Sequence, residues 1–175
     1  MLETLISSKT RLKLLLKFFL NSQSKSYLRN LESEFGESTN AIRLELNKFE
    51  SAGMLVSTME GNKRVFKVNE GHPLFKDIHN MVIKYVGLDT VIETIVRKIG
   101  SLSSVYLVGD YAEGKDSGLI DLVVFGRDLD QSYLLQKTAK AEKLIDRRIR
   151  FLTFEDQKSM DAYLRGKPNL LLWNI

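Results

Sequence analysis

The sequence predicts an α+β fold, in which a helical N-terminal half ends in a β-hairpin and a small α/β unit follows. Three observations predict it. Before Gly53, apolar residues recur in three blocks at helical spacing. Two short extended runs then flank a tight turn containing Gly61-Asn62. After Gly100 the texture changes to short apolar strands alternating with helical blocks.

The elements follow in order. Thr10 to Leu20 reads as a helix, with Leu12, Leu15, Leu16, Phe19 and Leu20 on one stripe. Asn21 to Ser26 is a polar break. A second short helix spans Ser26 to Phe35, carries Leu28, Leu31 and Phe35 on one side, and stops at Gly36. Ser38 caps a third helix that runs to about Ala52 and closes at Gly53, with Ile42, Leu46 and Phe49 as its core stripe. Met54 to Met59 and Arg64 to Asn69 are strands joined by Glu60-Gly61-Asn62-Lys63. Pro73 suits a first helical position and opens a fourth helix through Val86. Gly87 breaks it, and Leu88 to Ile99 is a further helix with Leu88, Val91, Ile92, Ile95 and Ile99 periodic.

In the C-terminal part, Ser104 to Val108 and Ile120 to Phe125 read as strands around a polar loop, Gly109 to Gly118. Helix Gln131 to Leu144, strand Arg148 to Phe154 and helix Glu155 to Leu164 follow. The apolar tail Leu170 to Trp173 should bury within the same subunit or against a partner. These elements suggest three segments: a domain at 1–71, connecting helices at 72–100 and an α/β domain at 101–175.

Composition narrows the functional classes. Cysteine is absent from the 175 residues, which excludes disulfides and thiolate metal sites. His72 and His79 alone do not make a zinc site, so neither metal nor cofactor is expected. No apolar run reaches the roughly 18 residues of a membrane span, and Lys and Arg interrupt the Leu-rich start where a signal peptide needs an apolar block. The expected location is cytoplasmic. Net charge is +4, and it is uneven: residues 1–87 hold 13 Lys/Arg against 9 Asp/Glu, and residues 88–175 hold 13 of each. That asymmetry points the N-terminal half toward a polyanion.

Three helices followed by a hairpin resemble the winged-helix domain of ArsR- and MarR-like bacterial regulators. The resemblance implies that the third helix enters the DNA major groove. Its polar face carries Thr39, Asn40, Arg43 and Asn47, with Lys48 beside them. Arg and Asn suit guanine and adenine edges. Lys63 and Arg64 at the hairpin tip, and Tyr27 and Arg29 at the start of the second helix, suit phosphates. The alternatives are a solvated helix face with an ordinary polar hairpin tip, or a protein-contacting winged helix.

The stretch Val105-Tyr-Leu-Val-Gly-Asp-Tyr-Ala-Glu-Gly-Lys-Asp-Ser-Gly-Leu-Ile-Asp-Leu-Val-Val-Phe125 resembles the core of the minimal nucleotidyltransferase family, through Gly109, Ala112, Gly114, Ile120, Asp121 and Leu122. The resemblance implies two carboxylates one residue apart on a strand, holding Mg²⁺ against a triphosphate. Here Leu119 replaces one of them and Asp110 replaces a phosphate-binding Ser. The strand that should bring a third carboxylate carries Arg148 and Arg150, with Asp146 just before it. Gly109, Asp110 and Asp121 therefore read as vestiges of a catalytic site, and the expectation is a domain that is not an enzyme. Arg148 and Arg150 are candidate ligands for a nucleotide or sugar-phosphate effector. Alternatively, Asp110 and Asp121 rebuild a metal pair, or Asp121 simply bonds loop amides around Gly109.

The sequence reading is thus a homodimeric transcriptional regulator that binds double-stranded DNA, with a C-terminal domain serving dimerisation or ligand sensing. Its rivals are a nucleotidyltransferase acting on a protein or small-molecule acceptor, and an antitoxin-like protein-interaction module.

Overall fold

Capping side chains and αL glycines delimit most helices of the N-terminal half. In this computed structural model, which describes residues 2–96 and 99–175, the chain divides into two units, Met1–Val82 and Ile83–Ile175.

In the first unit, a short helix α1 (Leu2–Leu5) precedes α2 (Lys9–Leu15), where the Ser8 hydroxyl accepts a hydrogen bond from the Arg11 amide at 3.2 Å. The single helix expected over Thr10–Leu20 changes pitch: Leu16–Leu20 is a π-helical turn. All five of its residues are buried, Lys17 included. Five consecutive residues go round about a full turn of either kind of helix, so this segment is enclosed on every side. The Lys17 ammonium meets both carboxylate oxygens of Glu34 at 3.0 Å.

The second helix begins later than expected. Lys25–Tyr27 is a strand, β1, and α3 covers only Leu28–Phe35. Ser26 and Tyr27 pair with Phe66 and Val65 in the sheet, and that ladder overrides the apolar spacing that suggested a helix. Gly36 ends α3 in the left-handed conformation, and α4 (Thr39–Ser51) starts on the Ser38 cap. Strands β2 (Leu55–Glu60) and β3 (Lys63–Val68) form the hairpin, with Glu60 opposite Lys63 across the two-residue turn. The sheet order is β1-β3-β2, all antiparallel. Helix α5 (Phe75–Val86) starts two residues after Pro73, not on it. In the core, Phe19 lies 6.3 Å from Phe49 and 6.2 Å from Phe75 between ring centres. His79 stacks on Phe75, and its Nδ1 lies 2.7 Å from the Phe19 carbonyl oxygen.

The second unit contains α6 (Leu88–Val96), β4 (Ser101–Val108), a helical turn α7 (Gly109–Ala112), β5 (Leu119–Arg127), α8 (Gln131–Ile145), β6 (Arg148–Phe154), α9 (Gln157–Leu164) and β7 (Leu170–Asn174). The helix expected to reach Ile99 is described to Val96; Arg97 and Lys98 lie outside the described residues. The sheet order is β6-β5-β4-β7. β5 and β6 are parallel and joined through α8, the crossover that parallel strands require. The apolar tail is β7, an edge strand paired with β4 of the same chain.

Strand alternation sorts the core. Val105, Leu107, Ile120, Leu122 and Val124 are buried on one face, α8 packs on β6, and α6 packs on α8. Gly87, at φ +88°, makes that last approach possible, because a Cβ there would sit 2.4 Å from Ile145. On the other face Val108 and Val123 pack with Met160, Tyr163 and Leu164 of α9. Asp121 belongs to this second face.

Candidate functional site

Two clefts gather the residues singled out from the sequence, one in each unit. The first lies among β1, α3, α4 and the hairpin and has a volume of about 520 Å³. Its walls include Tyr27, Arg29, Arg43, Asn47, Lys63 and Arg64, with no carboxylate among the lining residues. Residues distant in sequence converge because β1 pairs with β3 and places Tyr27 beside the hairpin. The Lys63 ammonium lies 4.5 Å from the Tyr27 ring centre, within cation–π range.

The cations there differ in how far they are committed. Arg29 and Arg43 are exposed, and among the described residues neither has a carboxylate within ion-pair distance. Arg64 is held: it bonds Glu50 at 2.6 Å and the Ser57 hydroxyl at 2.9 Å.

Three expected contact residues fall outside this cleft. Thr39 and Asn40 lie in the first turn of α4 and do not line it. Lys48 is turned to another side of α4, where it bonds Glu45 at 2.9 Å. The one-residue step from Asn47 rotates it by about 100° around the helix, which separates it from the Arg43 and Asn47 face. Glu45 also receives both Arg11 donors, at 2.8 and 3.2 Å. The bond from Arg11 holds the Glu45 carboxyl below the usual range against the opposing effect of burial, with help from Lys48.

The second cleft, about 470 Å³, opens beside β5 and is lined by Gly109, Glu113, Asp121, Arg150, Tyr163 and Lys167 among others. Parallel register sets its chemistry, because Arg150 lies directly opposite Asp121. The guanidinium donates to both carboxylate oxygens, at 2.6 and 3.0 Å. This corrects two expectations. Asp121 bonds Arg150 and not the loop amides, and Arg150 is already engaged by a carboxylate instead of standing open to an anionic ligand. The bond to Asp121 raises the pKa of Arg150 above its ordinary value. Gly109, at φ +68°, presses on the same carboxylate; a Cβ there would lie 2.6 Å from Asp121 Oδ2. Arg148 stands two residues before Arg150 on β6, opposite Leu119.

Asp110 is exposed at the start of α7, and Asp146 is the left-handed C-cap of α8. Among the described residues, no three His, Asp or Glu side chains converge to hold a metal ion. At the positions where the resemblance implies two Mg²⁺-binding carboxylates stand Leu119 and an Asp121 bonded to Arg150. That arrangement does not fit a metal ion.

A polar network went unread in the sequence. The buried Tyr111 hydroxyl donates to Asp116, and Arg147 donates to the Tyr111 oxygen at 2.7 Å and to Asp116 at 3.1 Å. Arg147 also reaches the Tyr85 carbonyl at 3.3 Å. Burial, aided by Asp116, pushes the Tyr111 hydroxyl pKa up. Burial opposes the charge of Arg147, but its bonds to Asp116 and Tyr111 outweigh this and raise its pKa. The network pins the 109–118 loop, which the sequence presented only as polar. No local signal announces it, because Arg147 arrives from the far end of α8.

No family model matches the chain, and no curated protein matches it in sequence. Among solved structures, it is similar to a mutant toxin–antitoxin MntA–HpeT complex at 19% identity and TM-score 0.42, covering 50% of this chain and 73% of that one. A second is a tri-AMPylated Shewanella oneidensis HEPN toxin in complex with MNT antitoxin, at 18% identity and TM-score 0.39, covering 51% and 71%. A third is a protein of Archaeoglobus fulgidus, at 16% identity and TM-score 0.38, covering 56% of this chain and 99% of that one. The first two likenesses contradict the expectation that the chain is not an enzyme, and that expectation is withdrawn. Among the described residues, no helix is long and apolar enough to cross a membrane.

Proposed function

We propose that the first unit is a winged-helix domain binding duplex DNA, and that the chain is a homodimeric transcriptional regulator with a nucleotidyltransferase-like second unit. Residues 1–71 carry the reading head, 72–100 connect, and 101–175 form the nucleotidyltransferase-like domain. The observation supporting this reading is the convergence of Tyr27, Arg29, Arg43, Asn47, Lys63 and Arg64 on one cleft without a lining carboxylate. Arg43 and Asn47 on α4 serve as base readers, and Arg29, Lys63 and Arg64 as phosphate contacts. A dimer places two α4 helices on half-sites about 34–36 Å apart.

Fluorescence anisotropy of the full chain with labelled random-sequence duplexes tests this. Binding should weaken steeply with salt. At a site selected from the random pool, Arg43→Ala should cost about 1–3 kcal/mol, whereas Lys63→Ala should weaken all sequences alike. Absence of salt-sensitive binding overturns the reading.

A second reading is favoured by the cleft beside Asp121, where Lys167, its ammonium 3.6 Å from the Tyr163 ring centre, has no carboxylate in ion-pair reach among the described residues. In it, the second unit takes a nucleotide in that cleft and engages a protein partner, in the manner of an antitoxin-like nucleotidyltransferase. Incubation with labelled ATP and candidate protein acceptors, with Mg²⁺ or Mn²⁺ supplied, is the test. Label transfer lost in Asp121→Ala supports this reading. Neither nucleotide binding nor transfer by the wild-type chain removes it.

A further inference from the structure

A third cleft lies wholly within the first unit, on a different side of α4 from the basic one. It has a volume of about 350 Å³ and is lined by Leu15, Phe49, Ala52, Met54, Ile78 and Met81, with Arg11, Glu45 and Lys48 also at its wall. That volume is within the range of small-molecule sites, about 300–1,000 Å³. The apolar wall is contributed by α2, α4 and α5 and by Met54, and two of its six apolar residues are methionines, whose unbranched chains adapt to varied apolar shapes.

The polar side of the cleft is specific in sign. Arg11 and Lys48 converge on Glu45, at 2.8 and 2.9 Å. Two cations face one carboxylate, so the group carries one excess positive charge. The Glu45 side chain is only 9% exposed, whereas those of Arg11 and Lys48 are 41% and 61% exposed. The buried carboxylate orders the two cations, and the cations present their outer surfaces to solvent beside the apolar wall. An apolar body next to a net cation matches an amphipathic anion, whose chain covers Phe49, Ala52 and Met81 while its head group meets Lys48 and Arg11. A neutral apolar molecule leaves the excess charge unmatched, and a cationic amphiphile is repelled by it.

We infer that this cleft is a binding site for a small amphipathic carboxylate of the medium-chain fatty-acid type. The inference rests on the cleft alone and stands or falls independently of DNA binding.

Isothermal titration of the full chain compares decanoate, decanol and decyltrimethylammonium. Decanoate should bind with one site per chain, and more tightly than decanol by about fivefold, the upper scale of an exposed ion pair. The cationic amphiphile should bind weakest of the three. Lys48→Met keeps the apolar stem and removes the charge; it should erase the preference for decanoate over decanol. Ala52→Trp, at an exposed position on the cleft wall, should abolish binding of both, with circular dichroism confirming that the variant is folded. Equal affinity for decanoate and decanol overturns the assignment, as does decanoate binding unchanged in Ala52→Trp. So does a failure of decanoate to bind; a dimer in analytical ultracentrifugation that Ala52→Trp dissociates then identifies a second copy as what covers the cleft.

Discussion

The two clefts differ in their arginines: among the described residues, the first keeps Arg29 and Arg43 unpaired beside an Arg64 held by Glu50, and the second pairs Arg150. In the first unit, Arg29 and Arg43 face an open cleft with no carboxylate in ion-pair reach among the described residues. In the second unit, Arg150 is bound to both oxygens of Asp121 and Arg147 is bound to Asp116 and Tyr111. Uncommitted charge in a concave surface sets up a potential for a polyanion. A one-to-one ion pair fixes local structure and contributes little field beyond itself. The difference follows from register: β6 places Arg150 opposite Asp121, whereas no acidic residue lines the first cleft.

The comparison predicts large effects where a cation is both buried and paired. Lys17 and Glu34 have side chains only 8% and 10% exposed. Removing Glu34 leaves a buried charge without its partner, which costs on the order of 3–5 kcal/mol. Urea unfolding of Glu34→Ala measures this. A loss below about 1 kcal/mol would mean that Lys17 reaches water readily and that the pairing contributes as an exposed pair does.

A smaller loss is expected at Gly109. Its φ is +68°, and an added Cβ would meet Asp121 Oδ2 at 2.6 Å, so Gly109→Ala is strained in two ways. The cost should be about 1–3 kcal/mol, read by thermal unfolding. The Asp121–Arg150 pair should shift visibly in a crystal structure of that variant. An unperturbed pair with unchanged stability would show that the close approach is not needed.

The smallest effect is a pH dependence. Both Glu45 and Glu37 are held below the usual glutamate range in the folded chain. Arg11 is the main cause at Glu45; at Glu37, burial acts in the opposite direction and is outweighed by bonds from Lys13 and Thr10. A lowered folded pKa stabilises above the unfolded value and loses that contribution as pH falls through the folded value. Stability should therefore be level from pH 7 to about 5 and decline below it. The Arg11→Met variant should flatten the decline, as followed by urea midpoints across pH. An equally steep decline in Arg11→Met would remove that pair as its cause.

Much of the fold was legible because its signals are local. The Ser38 cap, Gly36, the Gly61-Asn62 turn and the strand Arg148–Phe154 stand where the spacing placed them. Errors arose where tertiary pairing overrode local pattern. Tyr27 went to a strand because β3 needed a partner, and the stripe through Leu20 widened into a π-turn around the buried Lys17. The candidate sites were half legible. Spacing along α4 grouped Arg43 and Asn47 with Lys48; the first two line one cleft and Lys48 stands on another side, because neighbours in sequence diverge around a helix. The pairing of Asp121 with Arg150, and of Tyr111 with Arg147, depends on strand register and on the path of α8, which periodicity does not encode.

The central claim is that uncommitted cations of the first unit contact phosphates. Its most direct test is the salt dependence of duplex binding by the full chain and by the Arg29→Ala/Arg43→Ala/Lys63→Ala variant. A charge-matched control, Lys137→Ala/Lys140→Ala/Lys158→Ala, removes as many cations from the second unit. Plots of log affinity against log salt concentration should be shallower by about two for the cleft variant, roughly one for each lost phosphate contact, Arg29 and Lys63. The control should retain the wild-type slope. Equal slopes for the cleft variant and the wild type, or an equal loss in the control, would contradict the account.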